Sequence, residues 1–105
     1  MAIQHPAFTI GIEEEYLLVD KETRSLVVDP PENLMAECEE RCGAQVTPEF
    51  LRSQIEIGTK VCRTVAEARD ELLRLRAGIR DAAAEFGLTP IAVSCHPLAD
   101  WKDQM

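Results

Sequence analysis

The sequence predicts an α+β fold in which helices pack against one face of a mainly antiparallel sheet. Several short runs, among them "AFTIGIEEEYLLV" over residues 7–19, are rich in β-branched and aromatic residues and are bounded by polar turn segments. From Val65 to Phe86, apolar residues recur at alternating spacings of three and four, which is the period of an amphipathic helix. The predicted order of elements is ββαβαβ.

The first part of the chain predicts a hairpin and a short helix. The opening strand ends at the polar stretch "DKETR", after which "SLVVD" supplies the second strand. A helix over about residues 31–42 follows, because Asp29 and Glu32 have the spacing of a capping box. Gly43 is suited to the left-handed conformation that closes a helix at its C-terminus.

The second part predicts a strand, a long helix and a last strand. "AQVTPEF" indicates a short extended piece broken by Pro48, and "LRSQIEIGTKVC" indicates a strand. Thr64 and Glu67 form a capping box at the start of a helix of about six turns, which ends at Gly87. "LTPIAVSCHP" indicates the last strand. The apolar positions of the long helix are Val65, Ala68, Leu72, Leu75, Ile79, Ala82 and Phe86. We expect residues 1–105 to form a single segment, because neither a repeat nor a linker interrupts them.

Composition and charge narrow the classes of partner. The 105 residues are 46% hydrophobic and 29% charged, which allows a packed core. Eleven Lys and Arg against nineteen Asp and Glu give a formal net charge of -8. Such a surface repels phosphate backbones, so we expect no nucleic acid partner. The sequence contains neither a signal-peptide pattern nor an apolar run of membrane-spanning length, so we expect no membrane association and a cytoplasmic protein.

Free thiols are expected, because a cytoplasmic chain keeps its cysteines reduced. Cys38 and Cys42 stand four residues apart, a spacing that suits either a metal site or the apolar face of a helix with Leu34 and Met35. The helix interpretation is favoured, because no further Cys or His lies at a ligand spacing from the pair. The four cysteines are Cys38, Cys42, Cys62 and Cys95.

Acidic residues interrupt two of the predicted strands. Because side chains alternate across a strand, Glu13 and Glu15 share one face with Gly11, while the opposite face is apolar. In "SQIEIGT", Glu56 likewise lies opposite the isoleucines. If the two strands are neighbours, these carboxylates converge and repel one another, and a hard divalent cation such as Mg²⁺ or Mn²⁺ would offset that repulsion. The alternative is that they are ordinary solvent-facing acids on a half-exposed sheet.

Glu14 differs from its neighbours in "GIEEEY". By parity it falls on the apolar face with Ile12 and Tyr16. A carboxylate in that position needs a cationic or hydrogen-bonding partner, such as Arg52 or Arg63, or a raised pKa.

The order and spacing of three motifs resemble a known family. "FTIGIEEEYLLVD", then "SQIEIGTKVC", and "SCHPLADW" after the long helix together resemble the N-terminal part of the YbdK-type carboxylate-amine ligases, the second family of glutamate-cysteine ligases. The resemblance extends from Phe8 to Trp101. It implies a fold related to that of glutamine synthetase.

The resemblance also implies a reaction and a set of site residues. Family members use ATP to join a carboxylate, typically the side-chain carboxylate of glutamate, to an amine such as that of cysteine through an acyl phosphate. Glu13, Glu15 and Glu56 match the family's metal-binding positions, which implies that they bind Mg²⁺ or Mn²⁺. His96 matches a characteristic His-Pro and implies a substrate contact, although a lone His at a strand end is more often a satisfied surface residue.

Family members run to several hundred residues, whereas this chain has 105. Much of the nucleotide and substrate pocket would lie downstream of residue 105, so we expect these residues alone to be inactive. An incomplete sheet would leave an exposed edge that invites pairing with another chain, and a homo-oligomer is therefore predicted. The alternative to an enzyme segment is a stand-alone, non-catalytic metal-binding or interaction module.

Overall fold

The computed structural model describes residues 8–49 and 52–104. Four antiparallel strands form one sheet in the order β2-β3-β1-β4, and two helices accompany it. The strands are β1 Glu13–Asp20, β2 Val46–Pro48, β3 Gln54–Gly58 and β4 Leu88–Ile91, and the helices are α1 Leu34–Cys42 and α2 Val65–Ala84. Short 3₁₀ segments span Gly43–Gln45 and Trp101–Gln104. The predicted α+β class with a mainly antiparallel sheet is confirmed.

The core lies between one face of the sheet and the two helices. Tyr16 of β1 pairs with Ile55 of β3, and Glu14 pairs with Ile57, so the apolar side chains of both central strands share a face. Both helices contribute to the same buried cluster, as predicted. Its members from α1 and α2 are Leu34, Cys38, Cys42, Leu75, Ile79, Ala82 and Ala83. None of the helices in the described ranges is long and apolar enough to cross a membrane.

The second strand of the predicted hairpin does not form. The chain turns where the Asp20 carboxylate accepts hydrogen bonds from the backbone of Glu22 and Thr23, and it returns only as a single bridge between Val19 and Leu26. The reason is that β3 already occupies this edge of β1. The backbone N–H of Leu18 donates to Ser53 at 2.9 Å, while the carbonyl of the same residue accepts from Val27 at 3.0 Å.

Helix α1 begins later than predicted. Its first residue is Leu34, and Asn33 precedes it without a side-chain cap, so the capping box proposed for Asp29 and Glu32 is wrong. Residues 31–33 form a coil and turn instead, in which the backbone N–H of Leu34 donates to the carbonyl of Pro31 at 3.1 Å. The helix ends at Cys42, next to Gly43 as predicted, and Gly43 has a positive φ of 65°, but its ψ of -148° lies outside the left-handed helical region.

The predicted apolar face of α1 is confirmed, since Cys38 and Cys42 are both buried in the core. Burial raises the pKa of the Cys38 thiol to about 11 and also raises that of Cys42. All four cysteines are free thiols, and only Cys95 is exposed.

Helix α2 matches its prediction closely. The Thr64 hydroxyl accepts from the backbone N–H of Glu67 at 3.1 Å, and the Glu67 carboxylate accepts from that of Arg63 at 2.6 Å. The predicted apolar face is wrong at Val65, which is 77% exposed at the first helical residue. In the predicted first strand Phe8 has the parity of Ile12 and Tyr16, which predicts burial on the apolar face. It is instead 84% exposed, because β1 begins only at Glu13 and residues 8–12 are not part of that strand.

The edge strands are shorter than the sequence suggests, and each contains a proline. Pro48 belongs to β2, where it pairs with Ile55, and Pro90 belongs to β4, where it pairs with Leu18. After Ile91 the chain leaves the sheet, so the rest of "LTPIAVSCHP" is loop. Residues 50 and 51, assigned to the extended piece and the following strand, lie outside the described residues.

Close packing of the two helices gives a test of the fold. Gly78 faces α1, and a Cβ atom added there would lie 2.6 Å from the Sγ atom of Cys42. We expect Gly78→Ala to lower the free energy of unfolding, although alanine has the higher helix propensity by about 1 kcal/mol. Denaturant unfolding measures the change. In a Cys42→Ala background the clash is removed, and Gly78→Ala should then stabilise the protein. An equal loss in both backgrounds would contradict the contact.

Candidate functional site

Three glutamates of the central strands, Glu13, Glu15 and Glu56, occupy the face of the sheet opposite the helices. Glu15 lies directly across from Glu56, and Glu13 pairs with Gly58 one step along the same face. Glu13 and Glu15 are exposed, whereas Glu56 is half-buried. The pairing of β1 with β3 therefore brings together the carboxylates that sequence parity assigned to one surface.

Glu49 joins this cluster and was missed by sequence analysis. One carboxylate oxygen each from Glu15, Glu49 and Glu56 lie within 4.8 Å of one another. The sequence carried one signal for Glu49, which has the same strand parity as Thr47; the structure pairs Thr47 with Glu56. The interpretation of Pro48 as a break concealed that continuity. We call Glu13, Glu15, Glu49 and Glu56 the acidic cluster.

Crowding of like charges dominates the electrostatics of the acidic cluster. The pKa of Glu56 is raised to about 7. The largest cause is a hydrogen bond with the carboxyl group of Glu49, followed by one with Glu13, and desolvation and charge repulsion add to the shift. The proximity of the carboxyl groups thus favours the protonated form of Glu56. A bound cation is the other way to relieve the same repulsion.

The donor set fits a hard divalent cation. Oxygen ligands at about 2.1 Å from Mg²⁺ lie about 3 to 4 Å apart, so small side-chain rotations within the acidic cluster would bring three oxygens onto one ion. The candidate ligands are all carboxylates. Mg²⁺ and Mn²⁺ prefer such oxygen ligands, whereas softer metals prefer thiolates. A shallow cavity of about 350 Å³ adjoins them. It is lined by Glu13, Ala44, Gln45, Thr47, Glu56, Gly58 and Thr59.

One wall of this cavity is supported by a buried glutamate of α2. Glu71 accepts hydrogen bonds from Gln45 at 2.8 Å, from the backbone N–H of Lys60 at 3.2 Å and from Arg74 at 3.2 Å. Gln45 also donates to the carbonyl of Gly58 at 3.1 Å. The Arg74 guanidinium is the largest influence, and it lowers the pKa of Glu71 to about 2. Sequence analysis missed Glu71, although its position between Ala68 and Leu75 on the apolar face indicated burial.

Glu14 has a cationic partner, but the partner is Arg76. The guanidinium of Arg76 contacts both oxygens of the Glu14 carboxylate, with Nε at 2.7 Å from Oε1, and the Tyr16 hydroxyl donates to Oε1 as well. The Arg76 hydrogen bonds are the largest influence and lower the pKa of Glu14. The suggested partners were wrong: Arg52 pairs with Asp29, and the backbone of Arg63 bonds Glu67.

His96 lies in the loop after β4, outside the acidic cluster. Its Nδ1 accepts from the backbone N–H of Leu98 at 3.1 Å, so Nε2 carries the proton and donates to the carbonyl of Arg24 at 3.0 Å. Both ring nitrogens are therefore bonded within the chain. His96 and Leu17, which shares the strand face of Glu15, line a cavity of about 190 Å³.

The fold and the acidic cluster define an α+β segment with a carboxylate-bearing sheet face. The model of glutamate-cysteine ligase family 2 matches residues 9–105, and the chain belongs to that family. The chain is 59% identical to a protein of Jannaschia sp. (strain CCS1), with 92% of this chain and 25% of the relative aligned.

Two further relatives extend this comparison. For Ruegeria pomeroyi the identity is 56%, with 97% of this chain and 26% of the relative aligned. For Chloroflexus aggregans it is 42%, with 93% of this chain and 25% of the relative. All three relatives bear the name "Putative glutamate--cysteine ligase 2". The chain thus spans about a quarter of the length of these relatives.

The buried Glu71 predicts a specific pH dependence of stability. Its pKa is about 2 in the folded protein against 4.5 for the unperturbed group, so its stabilisation is complete above pH 4.5 and is lost as the pH falls toward 2. We expect Glu71→Gln to lower the free energy of unfolding by about 1 to 3 kcal/mol at pH 7, because bonds to Arg74 and the Lys60 backbone are weakened. Thermal unfolding at pH 3 to 7 measures this effect. The difference in unfolding temperature between the parent and Glu71→Gln should shrink below pH 4.5.

The exposed Glu40 of α1 provides a matched control for this measurement. Glu40→Gln should change the unfolding temperature little at any pH. A constant difference between parent and Glu71→Gln from pH 7 to pH 3 would contradict the assignment.

Proposed function

We propose that the chain is the N-terminal part of an ATP- and Mg²⁺-dependent carboxylate-amine ligase of the glutamate-cysteine type. The overall reaction would convert ATP, L-glutamate and L-cysteine to γ-glutamylcysteine, ADP and phosphate. The observation that carries the proposal is the acidic cluster on the sheet face opposite the helices, in a chain of glutamate-cysteine ligase family 2.

The proposed reaction has two steps. An oxygen of the glutamate γ-carboxylate attacks the γ-phosphorus of ATP, the bond to the bridging oxygen breaks, and ADP leaves. The cysteine amine then attacks the acyl carbon of the resulting acyl phosphate, phosphate leaves with the C–O electron pair, and the nitrogen loses a proton. Divalent cations would supply neutralisation of the charge that develops on the phosphates during the first step.

Within this proposal, the acidic cluster holds the metal. Glu13, Glu15 and Glu56 are the proposed ligands, and the position of Glu49 supports it as a further one. Glu13, Glu15 and Glu56 lie on strands, whereas Glu49 directly follows β2. Strands place side chains more rigidly than loops do, and such rigidity suits a reaction in which the protein mainly positions phosphates and cations. The shallow cavity beside Glu13 and Glu56 leaves room for a phosphate group or for water on the metal.

His96 is the proposed substrate contact. Its support is its location on a cavity that also includes Leu17, on the side of the sheet that carries Glu15. Contact with substrate would require one ring nitrogen to exchange its bond to Arg24 or Leu98 for a bond to the ligand. We place the reaction in the cytoplasm, in keeping with the free thiols of the chain.

Substitution of the acids tests the metal assignment. In the full-length protein, Glu15→Gln and Glu56→Gln should each reduce ADP formation by about 100-fold or more, because an amide is a weaker and neutral ligand. The measurement is ADP release with ATP, MgCl₂, glutamate and cysteine present. Glu40→Gln, which also removes one acid from an exposed position, should retain parental activity. Unchanged ADP release in Glu56→Gln would remove the metal assignment.

Omission of single substrates tests the reaction. ADP release by the full-length protein should require glutamate, and a mass increase for the dipeptide should require cysteine as well. If a different carboxylate and amine support turnover while glutamate and cysteine do not, the ligase class stands and the glutamate-cysteine assignment is lost. If no pair of amino acids supports turnover, the non-catalytic module is the better description.

A further inference from the structure

The ion pair between Glu14 and Arg76 lies on the helix side of the sheet, opposite the acidic cluster. We propose that this ion pair has a positioning role. It restrains β1 from the helix side of the sheet and so sets the geometry of Glu13 and Glu15 on the other side. That geometry in turn sets the affinity of the acidic cluster for a divalent cation. The inference rests on the proposed function, since it assumes that the acidic cluster binds metal.

The part of β1 that carries the acids has strand support on one side. β1 pairs with β3 over Glu13–Leu17, but it pairs with β4 only over Leu17–Asp20. Within the described residues, no strand of the sheet therefore lies beside Glu13–Tyr16 at the β4 edge. An open groove lies there instead, lined by Glu14, Glu15, Ala92, Val93 and Ser94. Backbone hydrogen bonding alone thus restrains this half of the strand less than the other half.

Side-chain contacts on the helix side supply the missing restraint. The guanidinium of Arg76 hydrogen-bonds to both carboxylate oxygens of Glu14, and the Tyr16 hydroxyl donates to one of them. Arg76 projects from the middle of α2, next to Leu75, which is fully buried in the core. Two-point contact from a planar guanidinium fixes orientation as well as distance, which a single charge contact does not.

Alternation along the strand carries this restraint to the other face. Because neighbouring side chains point to opposite faces, a rotation or shift of the backbone at Glu14 displaces Glu13 and Glu15 together. Mg²⁺ and Mn²⁺ sites tolerate little displacement of their ligands. A shift of a ligand by about 1 Å is enough to weaken such a site. Glu14 itself points away from the acidic cluster, so it acts through its neighbours and is not a ligand.

Electrostatics and positioning predict opposite outcomes for removal of the arginine. Arg76→Met leaves Glu14 without its cationic partner, so local negative charge increases. If charge alone mattered, divalent cations would bind more tightly to this variant. If Arg76 positions β1, they bind more weakly although a positive charge has been removed. The direction of the change therefore separates the two explanations.

The experiment is an EPR titration of Mn²⁺ into the full-length protein without nucleotide. We expect Arg76→Met to raise the Mn²⁺ dissociation constant by about five- to tenfold, in the lower part of the range for residues that orient metal ligands. Arg76→Lys should give an intermediate value, because it retains charge and loses two-point contact. Arg80→Met is the matched control: Arg80 lies on the same helix, pairs with its neighbour Asp81, and should leave the affinity unchanged within about twofold.

Two further variants keep the test decisive. Tyr16→Phe retains both charges and removes one hydrogen bond to Glu14, and it should weaken Mn²⁺ binding by about two- to threefold even if Arg76→Met proves too unstable to study. Glu14→Gln combined with Arg76→Met should bind Mn²⁺ no more weakly than the weaker single variant, because both act through one contact.

The outcomes distinguish this proposal from the proposed function. Parental or tighter Mn²⁺ binding by Arg76→Met, or by Tyr16→Phe if that variant alone is measurable, overturns the positioning role. Additive weakening in the double variant also overturns it. If Glu56→Gln leaves Mn²⁺ affinity unchanged, the metal site itself is disproved and both proposals fall. Weakening by Glu56→Gln without weakening by Arg76→Met overturns positioning alone.

Discussion

The antiparallel pairing of β1 with β3 is the interaction on which the rest of the structure depends. A single register places Tyr16 against Ile55 on the helix side and Glu15 against Glu56 on the other side. A slip of one residue would exchange the two faces, so that carboxylates would enter the core and aromatic and aliphatic groups would meet solvent. Burial of the apolar face therefore fixes the spacing of the acids, and the stability of the core and the geometry of the acidic cluster have the same origin.

The helix layer connects to the acidic face through polar contacts as well as apolar ones. Glu71 and Gln45 bind the backbone where β3 ends, and Arg76 binds the side chain in the middle of the acidic run. Glu71 and Arg76 both come from α2, whose start is held by the Thr64 cap and whose inner face is buried, whereas Gln45 belongs to the 3₁₀ segment after α1. A buried or half-buried carboxylate that is fully hydrogen-bonded stabilises one arrangement of the chain over its near alternatives. Helix α2 is thus both a core element and a support for the strands of the acidic cluster.

Sequence analysis predicted the parts of this arrangement that follow from periodicity and failed where partners come from distant segments. Parity separated Glu13 and Glu15 from Glu14 because the strand period is exact over a short run. The same rule predicted Glu56, but an early break at Pro48 hid Glu49. The predicted partners of Glu14 were wrong, because the sequence of one strand does not indicate which helical arginine packs against it. The failure of "SLVVD" to form a strand has the same cause: β3, about thirty residues further along, occupies the edge that a hairpin would need.

Prolines in both edge strands bear on how copies of the protein associate. A proline has no backbone N–H, so a further strand that docks against β2 or β4 in regular register meets a gap in the hydrogen-bond ladder wherever that N–H would face outward. The expectation that an open edge invites pairing therefore weakens once the positions of Pro48 and Pro90 are known. Within the described residues, pairing of two copies through β2 or β4 is therefore disfavoured, and the homo-oligomer expected from the sequence stays a prediction. The same feature protects a chain that is still emerging from the ribosome against templated aggregation.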